Sequence, residues 1–120
     1  MTYNPAINVT RNDVAAIVRA TFPHYKGRKF RVQAKENVTL SDLNWSGGTR
    51  SEYRACTLDG RHTGGADSYN RMAPWENQAE GKSLPIPSGF VVVEHSIFCG
   101  KDTGLRIYVN PADMAKLLPR

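Results

Sequence analysis

The sequence predicts an α+β domain: a mostly antiparallel sheet of about five strands flanked by an N-terminal helix and a short C-terminal helix. Three observations carry that prediction. Apolar residues recur at helical spacing between Thr10 and Pro23. RKFRVQAK and SEYRACTL alternate in the manner of strands. The longest apolar run, FVVVEHSIFCGKDTGLRIYV at residues 90–109, is rich in β-branched and aromatic residues and is broken by Gly-Lys-Asp-Thr-Gly, which reads as a β-hairpin.

Taken in order, residues 1–9 read as an arm or a short edge segment. Thr10 is a good helix N-cap, and Asp13, three residues on, suits the free N–H groups of a first turn. Val14, Ile17, Val18 and Phe22 then share a helical face until Pro23 stops the pattern, giving a helix over about 11–21 with Arg11 and Arg19 in solvent. HYKGRK is a turn. In the strand after it Phe30, Val32 and Ala34 face one way, while Lys29, Arg31, Gln33 and Lys35 face the other. Two readings stand for those cations: a solvated edge strand whose lysines block aggregation, or a stripe that tracks a phosphate backbone.

A second strand is expected over Asn37 to Leu43, followed by a glycine-containing turn that projects Trp45 and Arg50. The Lys-Ser/Thr of a P-loop is missing from that turn, which argues against nucleotide binding. Ser51 to Leu58 is the third strand, with its inward face ambiguous. Residues 59–89 are polar, rich in glycine and proline and without period, so they read as a long loop, pinned by Tyr69, Met72 and Trp75. In the hairpin the odd positions Val91, Val93, His95, Ile97 and Cys99 share a face with Leu105, Ile107 and Val109. If that face looks inward, Glu94, Ser96, Arg106 and Tyr108 look outward. Asn110 as N-cap and Pro111 at the first helical position open a short helix over ADMAKLL.

The chain has 120 residues, enough for one domain with its own core. The start lacks a basic segment followed by an apolar run, and no window approaches a membrane span, so a cytoplasmic protein with two thiols, Cys56 and Cys99, is expected. The formal charge is +5, and its placement matters more than its size. Residues 1–58 hold nine Lys and Arg against four Asp and Glu, whereas residues 59–120 hold seven against seven. A basic excess in one half favours an anionic partner, nucleic acid or an acidic protein surface.

Catalytic readings are weaker. His95 and Cys99 share a strand face, but four residues of strand separate them by roughly 13 Å, too far for direct proton transfer. A cysteine enzyme would need His62 or His24 as base. Zinc would have the ligand types in His62, His95, Cys56 and Cys99, without the short chelating spacings of structural sites. No catalytic residue, metal or cofactor is therefore assigned. A binding surface remains: Lys29, Arg31, Lys35, Arg54, Arg106 and Tyr108 on the outer sheet face, with Trp45 and Arg50 at one end. Cations beside aromatics suit both phosphates and unstacked bases; the same side chains would also anchor a protein partner.

The segments NWSGGTRSEYRA and IPSGFVVVEHSIFCGKDTGLRIYVNP resemble those of small uncharacterised proteins encoded by bacteriophages and mobile elements. The resemblance spans about residues 22–118. It implies a non-enzymatic accessory protein in the cytoplasm of a bacterial host, of the kind that includes anti-CRISPR and other inhibitors of host defence. Such a protein would act by stoichiometric binding to a defence protein complex or its nucleic acid.

Overall fold

A computed structural model describes residues 6–39, 49–63, 83–98 and 101–117. Seven strands and two helices occur there: β1 (Ala6–Asn8), α1 (Ala15–Thr21), β2 (Phe30–Ala34), β3 (Asn37–Thr39), β4 (Thr49–Thr57), β5 (Ser83–Pro85), β6 (Phe90–Phe98), β7 (Lys101–Val109) and α2 (Met114–Leu117), the last entered through a 3₁₀ turn at Pro111–Asp113. Five strands form one sheet in the order β1-β2-β7-β6-β4, and β3 pairs with β5 in a separate two-stranded ribbon. The α+β architecture with a mostly antiparallel sheet is as the sequence predicts. Among the described residues no helix is long and apolar enough to cross a membrane.

The five-stranded sheet is covered by α1 on one face and, over part of the other, by the ribbon region. Val91, Val93, Leu105 and Ile107 point to α1, where Val14, Ile17 and Val18 meet them in the larger core. Each such fully buried aliphatic side chain contributes about 1.5–3 kcal/mol relative to exposure. On the opposite face Tyr53, Ala55, Phe90, Val92 and Tyr108 pack under Val38 and Ile86 of the ribbon region. Strand β6 therefore reads Val-Val-Val because both of its faces are dry, the pattern of a central strand. This corrects the outward reading of Glu94, Ser96 and Tyr108, which are 2%, 5% and 7% exposed.

Two further expectations change. β2 is not an edge strand: it pairs antiparallel with β1 and parallel with β7, Phe30 to Ala34 lying opposite Leu105 to Val109. The Gly-Lys-Asp-Thr-Gly segment is mainly strand, since β7 already starts at Lys101; a register shift between Ser96 and Ile97 absorbs the irregularity. Within the stretch read as an arm or a short edge segment, Ala6–Asn8 form β1 at the edge of the sheet, and residues 1–5 lie outside the described residues. β5 lies within the stretch read as a long loop, and the pinning roles given to Tyr69, Met72 and Trp75 fall outside the described residues.

Helix α1 buries the predicted face, yet its regular part begins at Ala15. The backbone N–H and hydroxyl of Thr10 both donate to the Asp13 carboxylate at 2.9 Å. Backbone N–H groups of Asp13 and Val14 bond three residues back, to Thr10 and Arg11, at 3.2 Å. The capping pair thus closes a tight turn ahead of the helix. At the other end Asn110 caps as predicted: its side chain accepts from the Ala112 N–H and donates to the Ile86 carbonyl, both at 2.9 Å.

Cys56 is fully buried against the α1 core. Burial, with Asp59 nearby, pushes its thiol up to about 12, so the thiolate is scarce at neutral pH. The native protein should leave Cys56 unlabelled by a maleimide at neutral pH and label it fully once unfolded, as read by peptide mass spectrometry. Rapid native labelling at that peptide would contradict the packing.

Candidate functional site

The strand registers place one residue from each of the five strands in a lateral row on the ribbon-side face. Asn8 lies opposite Arg31, Arg31 opposite Arg106, Arg106 opposite Glu94, and Glu94 opposite Tyr53. Side chains at paired positions point the same way on neighbouring strands roughly 4.8 Å apart. The row therefore grades from polar through two adjacent cations to a buried carboxylate. Next to it, toward the start of β2, lie Arg28 and Lys29, both exposed.

These residues surround a recess of about 470 Å³ lined by Asn8, Arg28, Lys29, Arg31, Gly104 and Arg106, with Val9, Phe30 and Leu105 as its apolar backing. Four of the lining residues carry positive charge and none of those described carries negative charge. Among the described residues no carboxylate forms an ion pair with Arg28, Lys29 or Arg31; Arg106 alone has one, with Glu94 at 3.7 Å. Like charges on directly paired strand positions oppose one another. An anion seated between them relieves that repulsion, so the arrangement is suited to phosphate.

Gly104 shapes the floor. It is in β7 at φ 116°, a left-handed conformation that L side chains rarely adopt. A Cβ there would sit 3.0 Å from Lys29 Cβ. The missing side chain lets the start of β2 close on β7, where the Leu105 N–H donates to the Lys29 carbonyl at 3.0 Å.

Glu94 forms the inner end of the row. Its Oε1 accepts the Tyr108 hydroxyl at 2.6 Å, and its Oε2 accepts the Tyr53 hydroxyl at 3.2 Å. Arg106 Nη1 donates to Ser96 Oγ at 3.1 Å while lying beside Glu94. Lys35 Nζ rests 5.1 Å from the centre of the Tyr108 ring. Paired with hydroxyls and a guanidinium, a carboxylate tolerates burial that would otherwise be costly.

Of the predicted surface, Lys29, Arg31 and Arg106 come together in the recess. Lys35 is on the same face but outside its lining. Tyr108 is a buried hydroxyl donor, not an exposed stacking platform, because the ribbon region covers that half of the sheet. Arg54 belongs to the other face: its Nη1 donates to the Thr21 carbonyl at the end of α1 at 2.7 Å, and its guanidinium lies 4.7 Å from the Phe22 ring centre. Arg50 enters β4 opposite Ile97, while its side chain and Trp45 lie outside the described residues. The prediction missed Arg28, Asn8 and the role of Gly104. Arg28 was open to detection as the neighbour of Lys29; Asn8 depended on a pairing that local periodicity does not encode.

A second, smaller recess of about 260 Å³ lies on the α1 side between Phe22, Pro23, His24, Tyr25, Arg54 and His95. His95 packs there against Phe22 and Tyr25, with ring centres 5.3 and 5.4 Å away. The considered pairing of His95 with Cys99 falls outside the described residues at Cys99. Among the described residues no three His, Cys, Asp or Glu side chains gather as a metal site. No family model, curated protein or solved structure matches this chain.

Proposed function

We propose that the protein is a non-catalytic binding module that takes the sugar-phosphate backbone of a nucleic acid in the Arg28, Lys29, Arg31 and Arg106 recess. The observation that carries this reading is four cations around one recess whose described lining holds no carboxylate. Phosphate contacts from Arg and Lys supply sequence-independent affinity. The resemblance to phage and mobile-element proteins supplies the setting: stoichiometric inhibition of a bacterial defence complex, in the host cytoplasm, through the nucleic acid that the complex carries.

Fluorescence anisotropy with labelled single-stranded DNA, duplex DNA and RNA tests the reading. Replacing both Arg31 and Arg106 with alanine should weaken binding by about 30-fold or more, from roughly 1 kcal/mol or more per lost charge-assisted contact. Replacing Arg61, exposed and facing Asp59 on a remote turn, should leave affinity unchanged. Equal affinity in the wild type and the Arg31/Arg106 variant would refute the assignment of the recess. Failure of the wild type to bind any of the three probes at low salt would refute nucleic-acid binding.

A further inference from the structure

We infer that Glu94 is a positioning residue that aims Arg106 at the anion; the inference rests on the nucleic-acid reading above. Both oxygens of the Glu94 carboxylate are engaged, Oε1 by Tyr108 at 2.6 Å and Oε2 by Tyr53 at 3.2 Å. Those hydroxyls come from β7 and β4, the strands on either side of β6, so the carboxylate is held from both sides. Its side chain is 3% exposed, whereas that of Arg106 is 38% exposed. The pair therefore straddles the boundary between dry sheet face and open recess.

Arg106 uses one nitrogen, Nη1, for Ser96 Oγ at 3.1 Å and for the approach to Glu94 at 3.7 Å. Nη1 carries two of the five in-plane N–H donors of the guanidinium, so holding it between Ser96 Oγ and the Glu94 carboxylate restricts how the plane can turn. The remaining donors are then available to a phosphate in a set orientation. Arg31, its neighbour across the strand pair, has no such anchor among the described residues. The recess thus combines one oriented fork with cations that adjust to the ligand. An oriented fork loses less side-chain entropy on binding and favours bidentate geometry.

The test is a double-mutant cycle on oligonucleotide affinity, using wild type, Glu94→Gln, Arg106→Ala and the double variant, with NMR of the Arg106 Nε–H in the free proteins. Glu94→Gln should weaken binding about tenfold in the wild-type background and cause no further loss when Arg106 is already alanine. The Arg106 Nε–H should be ordered in the wild type and mobile in Glu94→Gln. Tyr108→Phe, which removes one hydroxyl only, should give a smaller loss with the same dependence on Arg106 and keeps the test open if Glu94→Gln does not fold. A loss of equal size with or without Arg106 would overturn the inference and mark Glu94 as structural. If the wild type binds no oligonucleotide, the nucleic-acid reading fails by itself. The free-protein NMR still decides positioning: unchanged Arg106 order in both Glu94→Gln and Tyr108→Phe overturns it, and increased mobility supports it.

Discussion

Replacing Asp113 with alanine is expected to destabilise the fold by about 3 kcal/mol, the sum of a lost charge-assisted hydrogen bond and a donor left unsatisfied. Asp113 is fully buried at the end of the 3₁₀ turn that leads into α2. Its carboxylate accepts the Gly89 N–H at 2.6 Å and the Ser88 hydroxyl at 3.2 Å, and meets Lys116 Nζ at 3.1 Å. It thereby ties α2 to the turn that launches β6. Burial pushes its pKa up, but the bonds from Gly89, Lys116 and Ser88 outweigh that and hold it below the ordinary carboxylate value. A depressed folded-state pKa means that the contribution is present above the unfolded value, about pH 4. It is lost as pH falls through the folded value. The advantage of wild type over Asp113→Asn, measured by urea unfolding, should be constant from about pH 5 to 7 and shrink below about pH 4. An advantage that grew on acidification would contradict this account.

Replacing Gly104 with alanine is expected to cost about 2–3 kcal/mol and to weaken phosphate binding as well. The backbone penalty arises from the φ of 116°. The steric part arises because the new Cβ would stand 3.0 Å from Lys29 Cβ and 3.3 Å from the Lys29 carbonyl oxygen. Gly89 separates these effects: its φ is 92°, but an added Cβ would meet nothing within 4 Å. Gly104→Ala should therefore lose more stability than Gly89→Ala in denaturant titrations, and it alone should alter the recess. Equal losses with unchanged binding would show that close approach at Gly104 is unimportant.

Alternation made much of the sheet legible. Phe30, Val32 and Ala34 are buried on β2 as their spacing indicates, and the Val93–Ile107 face is the one that meets α1. The Asn110-Pro111 start of the last turn was equally local, since a cap and a fixed φ need only neighbouring residues. Pairing across distance was not. Nothing in RKFRVQAK states that β2 lies parallel to β7, and that pairing places Arg31 beside Arg106. The burial of Glu94 was foreshadowed by Val91, Val92 and Val93, because three consecutive buried valines require both sheet faces to be covered. What local pattern omits is the cover itself: β5 arises in a segment with no strand period. Arg54 shows the same limit, since only the path of α1 assigns it to Thr21 and Phe22 rather than to the cationic row.

The most direct measurement for the central claim is the salt dependence of nucleic-acid affinity in the wild type and in the Arg31/Arg106 double alanine variant. Four phosphate contacts predict a logarithmic slope of about −2.8 on a single strand, a fall of about 50-fold between about 50 and about 200 mM salt. Loss of two contacts should reduce the slope to about −1.4. A wild-type slope near zero, or one that the double variant leaves unchanged, would contradict recognition of phosphate by this recess.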